Sequence, residues 1–283
     1  MDDPYRSRGR VHAPAVPVTH REEDFESRGF AQLRAMQERH FWYRGRHRFL
    51  ARALQRHAGR WGSASPRVLD LGGGCGGWLT FLMRRPPSAL REVALADSSP
   101  LALEMAAQEL PDEVGLYHAD LLDLRWRDRW DVVFLLDVLE HVEDDGRALG
   151  EIGQALGPGG LLFVTVPAFP SLWSYNDEAS GHHRRYRASD FSRLAGPAGL
   201  ELIDARYFMF FLSPLLVASR LLSGPGRRET SGAELARRVE AAHRVPRWGL
   251  NALLSTCFAA ETPLGHVVRF PWGTSVLAVF RRT

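Results

Sequence analysis

The chain contains no lysine: all 36 of its basic residues are arginine, and isoleucine occurs only at positions 152 and 203. Both gaps read as compositional bias, which makes the number of basic side chains a poor guide to partners. A net charge of +3 over 283 residues is not the footprint of a nucleic-acid binder, and no RNA-binding module signature is present. Cysteine is nearly absent. Cys75 and Cys257 lie far apart and without metal-ligand partners at useful spacing. That speaks against a disulfide framework and against a metal site, and for a reducing, cytoplasmic setting. The uncharged run from Tyr207 to Ser219 is shorter than the ~20 apolar residues needed to cross a bilayer. The N-terminus has no apolar core of signal type, and Asp2 and Asp3 argue against a transit peptide.

What the chain does have is glycine, concentrated at one place. Val68 to Gly77 reads Val-Leu-Asp-Leu-Gly-Gly-Gly-Cys-Gly-Gly. Leu69 and Leu71 flank Asp70 in a short apolar run, and Trp78 to Leu82 resumes an apolar pattern. The segment predicts a buried strand, a tight turn and the start of a helix, with the main chain open to a ligand. Gly72, Gly74 and Gly77 satisfy the dinucleotide spacing G-x-G-x-x-G. Asp70 disfavours that ligand, because a carboxylate ahead of the glycines repels a pyrophosphate held at the helix N-terminus. It suits a ligand carrying an amino group. Cys75 reads as a tolerated small residue and not as a redox thiol.

Asp70, Gly72, Gly74 and Gly76 fit D-x-G-x-G-x-G, which resembles motif I of class I S-adenosylmethionine (SAM) methyltransferases. Further stations follow in order. Val93 to Ala96 ends at Asp97, which is followed by Ser98; a carboxylate there can accept both ribose hydroxyls, of SAM or of NAD alike. His118-Ala119-Asp120-Leu121 corresponds to the turn that holds adenine in the methyltransferase fold. The strand Trp130 to Leu136 runs into Asp137-Val138-Leu139-Glu140-His141-Val142, a string similar to that of ubiquinone-biosynthesis O-methyltransferases. Gly157-Pro158-Gly159-Gly160 precedes a fifth strand, Leu161 to Val166. With His40 to Arg46, Trp173 to Asp177, Gly181 to Tyr186 and Gly273 to Val279, the chain from about residue 30 onward is similar to the methyltransferase type 11/12/23 families.

The resemblance implies an α/β, Rossmann-like SAM methyltransferase fold: a seven-stranded, mostly parallel sheet with helices on both faces. Residues 1–25, rich in proline and charge, are expected to be a flexible arm. Residues 26–283 are expected to form one domain, with a helical cap over 24–60 and a helical insertion over 210–272 before the last strand, Ser275 to Phe280. Strand six is expected over Leu200 to Phe208, and a preceding helix from Ala188 carries Ser189 as its cap. In the insertion, Tyr207 to Ser219 is uncharged. It reads either as a core helix packed on the sheet or a partner subunit, or as an apolar lid for a greasy substrate or a membrane surface. Helices are also expected at 231–243 and from Trp248 to Ala260.

Methyl transfer from a sulfonium is an in-line displacement, so the protein mainly aligns the acceptor. The cofactor-binding set is Asp70, Gly72, Gly74, Gly76, Asp97, Ser98, Asp120, Leu121, Asp137 and His141. Arg46 joins it, and Arg44 is an alternative for the SAM carboxylate. The loops after strands four and five offer acceptor-side groups: Trp173, Tyr175 and Arg185 to bind substrate, and His182, His183 and Tyr186 for catalysis. His182 is the favoured general base, because imidazole titrates near working pH. The expected activity is methylation of a small-molecule or lipid-like acceptor, preferably on oxygen. Peripheral membrane contact through 209–222 and a homodimer are compatible with this. An NAD(P)-dependent oxidoreductase and a catalytically silent SAM-fold binding subunit are the alternatives.

Overall fold

Seven apolar runs supply the core of one sheet in a computed structural model that describes residues 4–18, 26–86, 89–215, 217, 218 and 244–283. β3 (Arg67–Leu71), β4 (Glu92–Asp97), β5 (Gly115–His118), β6 (Trp130–Leu136) and β7 (Leu156–Pro167) cover the apolar runs, with β7 starting earlier than expected and taking in Gly157 to Gly160. These five run parallel, and β8 (Leu200–Phe208) and β9 (Ser275–Arg282) complete the sheet, with β9 antiparallel to both β7 and β8.

The sheet has nine strands, not seven. Its order is β1-β2-β5-β4-β3-β6-β7-β9-β8. The two additions are β1 (Tyr5–Arg8) and β2 (Val11–Pro14), a hairpin inside the segment expected to be a flexible arm. Proline and charge pointed to disorder there, but three side chains anchor the hairpin. Tyr5 is buried and meets Tyr117 edge-on at 5.5 Å and Trp126 at 4.4 Å. His12 stacks on Tyr117 at 4.9 Å. Arg10 donates to the carbonyls of Ala107, Leu110 and Pro111. β2 then pairs in parallel with β5.

Helices cover both faces. α1 (Glu26–Gln37), α2 (Phe41–His57), α3 (Gly77–Met83) and α4 (Pro100–Glu109) precede β5. α5 (Asp145–Ala155), α6 (Tyr175–Ala179) and α7 (Asp190–Ala195) follow β6. Ser189 makes no side-chain cap bond; Asp190 instead accepts from the Arg187 amide at 2.7 Å. The two sides of the sheet bury separate apolar clusters, one around Trp126, Trp130 and Phe191, the other around Phe49, Trp78, Phe134 and Phe258.

Of the insertion, α8 (Trp248–Val267) is longer than expected and continues through Pro263. It packs along α2: Asn251 accepts from the Phe41 amide at 2.9 Å and donates to the Arg39 carbonyl at 2.8 Å. The expected helix at 231–243, and the stretch 219–222 of the apolar segment, lie outside the described residues. Of the part that is described, Met209, Leu212 and Ser213 are buried, whereas Phe211 and Leu215 are exposed.

Close packing of α2 against α8 reverses an ordinary helix rule. Gly45 lies inside α2, where alanine normally gains about 0.5–1 kcal/mol. A Cβ at Gly45, however, would sit 1.8 Å from the buried Phe258 ring. Gly45→Ala is therefore expected to destabilise by about 1–3 kcal/mol, as overpacking does, read as a lower denaturant midpoint at unchanged m-value.

Candidate active site

β3 lies between β4 and β6 in the middle of the sheet, and its carboxyl end carries the glycine turn. This is the switch point at which open α/β sheets take ligands. The Gly72 amide donates to the Ala96 carbonyl at 2.7 Å, and the Gly76 amide to Gly73 at 3.0 Å. Gly72, Gly74 and Gly76 hold φ of 69°, 54° and 81°, a region that costs other residues about 1–2 kcal/mol. A Cβ at Gly72 would stand 2.6 Å from the Val138 side chain, so the turn is closed against the segment after β6.

Asp70 is 1% exposed, and its Oδ2 has no hydrogen-bond partner. Burial pushes its carboxyl up to about 7, Arg46 opposing and Asp97 adding to the rise. An orphaned buried carboxylate oxygen beside glycine backbone fits an incoming ammonium. At the end of β4, Asp97 is buried and held by two backbone amides: Gly74 on Oδ2 and Ser99 on Oδ1, each at 2.9 Å. Ser98 accepts from the His118 ring through its carbonyl at 3.0 Å. Asp120 and Leu121 lie half-buried in the turn after β5, where Asp120 caps the Leu122 amide at 2.9 Å. Cys75 is buried with its thiol pushed up to about 12 by desolvation, in keeping with a packing role.

The segment after β6 carries Asp137 at a positive φ of 57°, its amide bonded to the Thr165 carbonyl at 2.8 Å. Its carboxylate pairs with Arg46. Arg46 is 5% exposed, with its guanidinium 4.9 Å from the Trp42 ring centre and 5.2 Å from that of Tyr43. Of the two arginines expected at the SAM carboxylate, only Arg46 is brought to the site; Arg44 is exposed. Leu139–His141 is a 3-10 turn with Glu140 buried.

The loop from Trp173 to Arg187 is built around a residue that had no expected role, Asp177. It is fully buried at the first turn of α6. Ser174 donates to it through its amide and hydroxyl, at 2.7 and 2.9 Å. Arg185 donates through Nε and a terminal nitrogen, at 2.7 and 2.9 Å, and also reaches the Ala168 carbonyl at 3.1 Å. These bonds and the His182 ring, whose Nδ1 lies 2.9 Å from Asp177 Oδ1, hold the carboxyl well below the usual range despite its burial. The Ser174-x-x-Asp177 capping box was the available signal.

Three acceptor-side expectations change accordingly. Arg185 is 7% exposed and bound to Asp177, so it builds the loop and is not presented to a substrate. Tyr186 is buried, stacked on Phe191 at 5.4 Å, with its hydroxyl on Asp145 at 3.0 Å and the Leu139 carbonyl at 3.3 Å. Burial and Asp145 raise its pKa far above the phenol range. His183 is exposed, its amide on the Glu140 carbonyl at 2.8 Å. His182 remains: its ring meets that of His141 edge-to-face at 4.6 Å, and burial holds it mainly neutral, with Asp177 opposing. Trp173 is 38% exposed with its indole N–H toward Glu178 at 3.4 Å, and Tyr175 is half-buried. Glu140, beside His141, is the second residue that had been given no role.

A family model described as a methyltransferase domain matches residues 41–205. The chain is 34% identical over 105 residues to a ubiquinone biosynthesis O-methyltransferase of Bradyrhizobium sp., covering 35% of this chain and 39% of that protein. It is 36% identical over 105 residues to a demethylmenaquinone methyltransferase of Thermus thermophilus, covering 36% and 47%. The matched stretch thus spans less than half the length of these curated relatives. The fold superposes at a TM-score of 0.58 and 18% identity on a chain from a complex between the Haloferax volcanii Trm112 methyltransferase activator and a methyltransferase, covering 93% and 97% of the two. With a family match running from α2 into β8 around the glycine turn, the chain belongs to the class I SAM-dependent methyltransferases.

Proposed function

We propose that the protein transfers the methyl group of SAM to a hydroxyl oxygen of a small or lipid-like molecule. The observation that carries this reading is the His182–Asp177 pair. A carboxylate can only accept, so Nδ1 carries the proton and Nε2 keeps its lone pair for the acceptor side. A hydroxyl needs such help to ionise, whereas an activated carbon does not. SAM supplies an electrophilic methyl group. Asp70 takes its ammonium, Asp97 its ribose, Asp120 and Leu121 its adenine, and Arg46, locked to Asp137, sets the positive field at its carboxylate. His182 assists loss of the hydroxyl proton through Nε2. The new O–C bond then forms as the C–S bond breaks, yielding the methyl ether, S-adenosylhomocysteine and one proton.

The names of the relatives favour a quinone-like aromatic acceptor. Exposed Phe211, Leu215 and Trp272 supply an apolar rim at the sheet end reached by Pro167 and Phe208, which both pair with Ser275. A nicotinamide dinucleotide fits less well, since its pyrophosphate would meet Asp70. Labelled SAM incubated with a panel of phenols and lipid alcohols should give labelled ether and S-adenosylhomocysteine together. SAM binding without turnover on any acceptor would favour the silent-subunit alternative, and label on carbon would favour the C-methyl reading.

Asp70 makes cofactor binding pH-dependent. Burial raises its pKa to about 7, and the ammonium needs the ionised form. Binding below that pH must expel a proton, so SAM affinity should fall by up to about tenfold per unit from pH 7 downward. Calorimetry from pH 5.5 to 7.5 checks this. Asp70→Asn should bind about tenfold or more weakly and lose the slope; a slope retained in the variant would assign it elsewhere.

A further inference from the structure

The cofactor set leaves a buried polar side chain of α2 without a task. His47 is 2% exposed. Its ring meets Trp78 at 5.5 Å and Phe81 at 5.3 Å, both on α3, and Tyr43 of α2 edge-on at 6.4 Å. An imidazole in such surroundings costs its full desolvation unless its nitrogens find partners. Its Nε2 lies 3.3 Å from a terminal nitrogen of Arg46. Successive side chains on a helix point about 100° apart, so the contact requires the arginine to fold across its neighbour.

The chemistry of the pair settles the direction of that bond. A guanidinium has N–H donors and no acceptor, so His47 accepts through Nε2 and carries its own proton on Nδ1. Burial and the neighbouring guanidinium both disfavour an imidazolium and hold the His47 pKa well below its usual value, so the accepting lone pair persists at working pH. Asp137 accepts from the other terminal nitrogen of Arg46. The guanidinium is thus clamped at both ends, while its Nε, also buried, has no hydrogen-bond partner among the described residues. Arg46 also acts on Asp70, holding down the rise in that carboxyl's pKa. The groups assigned to the carboxylate and the ammonium of SAM therefore stand within electrostatic range of each other.

We propose that His47 is a positioning residue for SAM, holding the Arg46 guanidinium in the orientation that meets the cofactor's carboxylate. This rests on the reading in which Arg46 faces that carboxylate. Asp137 alone fixes one end of a planar fork and leaves the rest free to turn. A second acceptor at the other end removes that freedom before the cofactor arrives. A neutral acceptor does so without cancelling charge: a second carboxylate at position 47 would neutralise the guanidinium, and a cation would repel it. The pair also joins cofactor binding to the packing of α2 on α3, the helix that starts at the glycine turn. The ring that accepts the Arg46 hydrogen bond is the one packed on Trp78 and Phe81.

The test compares two ligands on the full chain by calorimetry: SAM, and decarboxylated SAM, which keeps the amine and the sulfonium and lacks only the carboxylate. His47→Phe retains an aromatic ring against Trp78 and Phe81 and removes the acceptor. It should weaken SAM by about tenfold and leave decarboxylated SAM unchanged, which also reports a folded pocket. His47→Gln, whose amide oxygen can accept, should recover most of the loss; a loss that it does not recover belongs to packing and overturns the positioning role. Arg46→Gln should erase the preference for SAM over decarboxylated SAM. If it does, and His47→Phe weakens both ligands equally or neither, the role of His47 is overturned and the carboxylate assignment of Arg46 stands. A preference that survives in Arg46→Gln overturns that assignment, and the role of His47 with it.

Discussion

His182→Ala is expected to lower kcat by about a hundredfold or more while SAM affinity stays at the parent value. The cofactor groups Asp70 and Asp97 stand on β3 and β4, whereas His182 belongs to the loop after α6, so truncating its ring takes nothing from the cofactor pocket. What is lost is an imidazole whose Nδ1 is fixed by a buried carboxylate. Since burial keeps the ring mainly neutral, parent activity should not collapse as pH rises through neutrality. The variant's deficit should be greatest below the acceptor's own pKa, where most of the hydroxyl is un-ionised, and should shrink as the medium supplies the anion. Steady-state kinetics against pH with calorimetry for SAM reads both outcomes. Full turnover in the variant would remove His182 from the reaction.

Asp177→Ala is expected to cost more stability than any other single change in the loop, about 3–5 kcal/mol. It leaves the Arg185 guanidinium buried without its counter-charge and removes the acceptor of the Ser174 amide and hydroxyl. The melting temperature should fall on the order of 10 °C. The sign of the pH dependence follows from the depressed carboxyl. Its contribution to stability is complete above the ordinary aspartate pKa, about 4, and fades only as pH falls well below that. The parent and Asp177→Ala should therefore differ fully at pH 7 and converge in strong acid. An unchanged melting temperature at pH 7 would show that Arg185 finds another partner.

Much of this architecture was readable from the chain because the buried strands are short apolar runs ending at polar residues. Asp70, Asp97 and Asp137 each close or follow such a run, and the glycines after Leu71 permit no other local reading. The hairpin at residues 5–14 was not readable. Its anchoring depends on Tyr117 and Trp126, more than a hundred positions away, and no local pattern reports a contact of that range. The loop after β7 fell between these cases. His182 was visible as an imidazole beside a glycine, but whether Arg185 and Tyr186 face a substrate or the protein depends on where Asp177 and Asp145 lie in space. A capping box marks the first turn of a helix; it does not say that the same carboxylate will also hold an arginine and a histidine. Glu140 was masked by the resemblance of the string around it, which drew attention to the cofactor side.

Because β1 and β2 continue the sheet past β5, that margin of the molecule ends in a strand of four residues whose last three side chains, Arg6, Ser7 and Arg8, are exposed. A short strand flanked by positive charge is a poor template for another chain. Trimming residues 1–14 as though they were a tail would uncover the backbone of β5 together with Tyr117 and Trp126, turning a guarded margin into an adhesive one. Solubility, more than catalysis, is what those first strands protect.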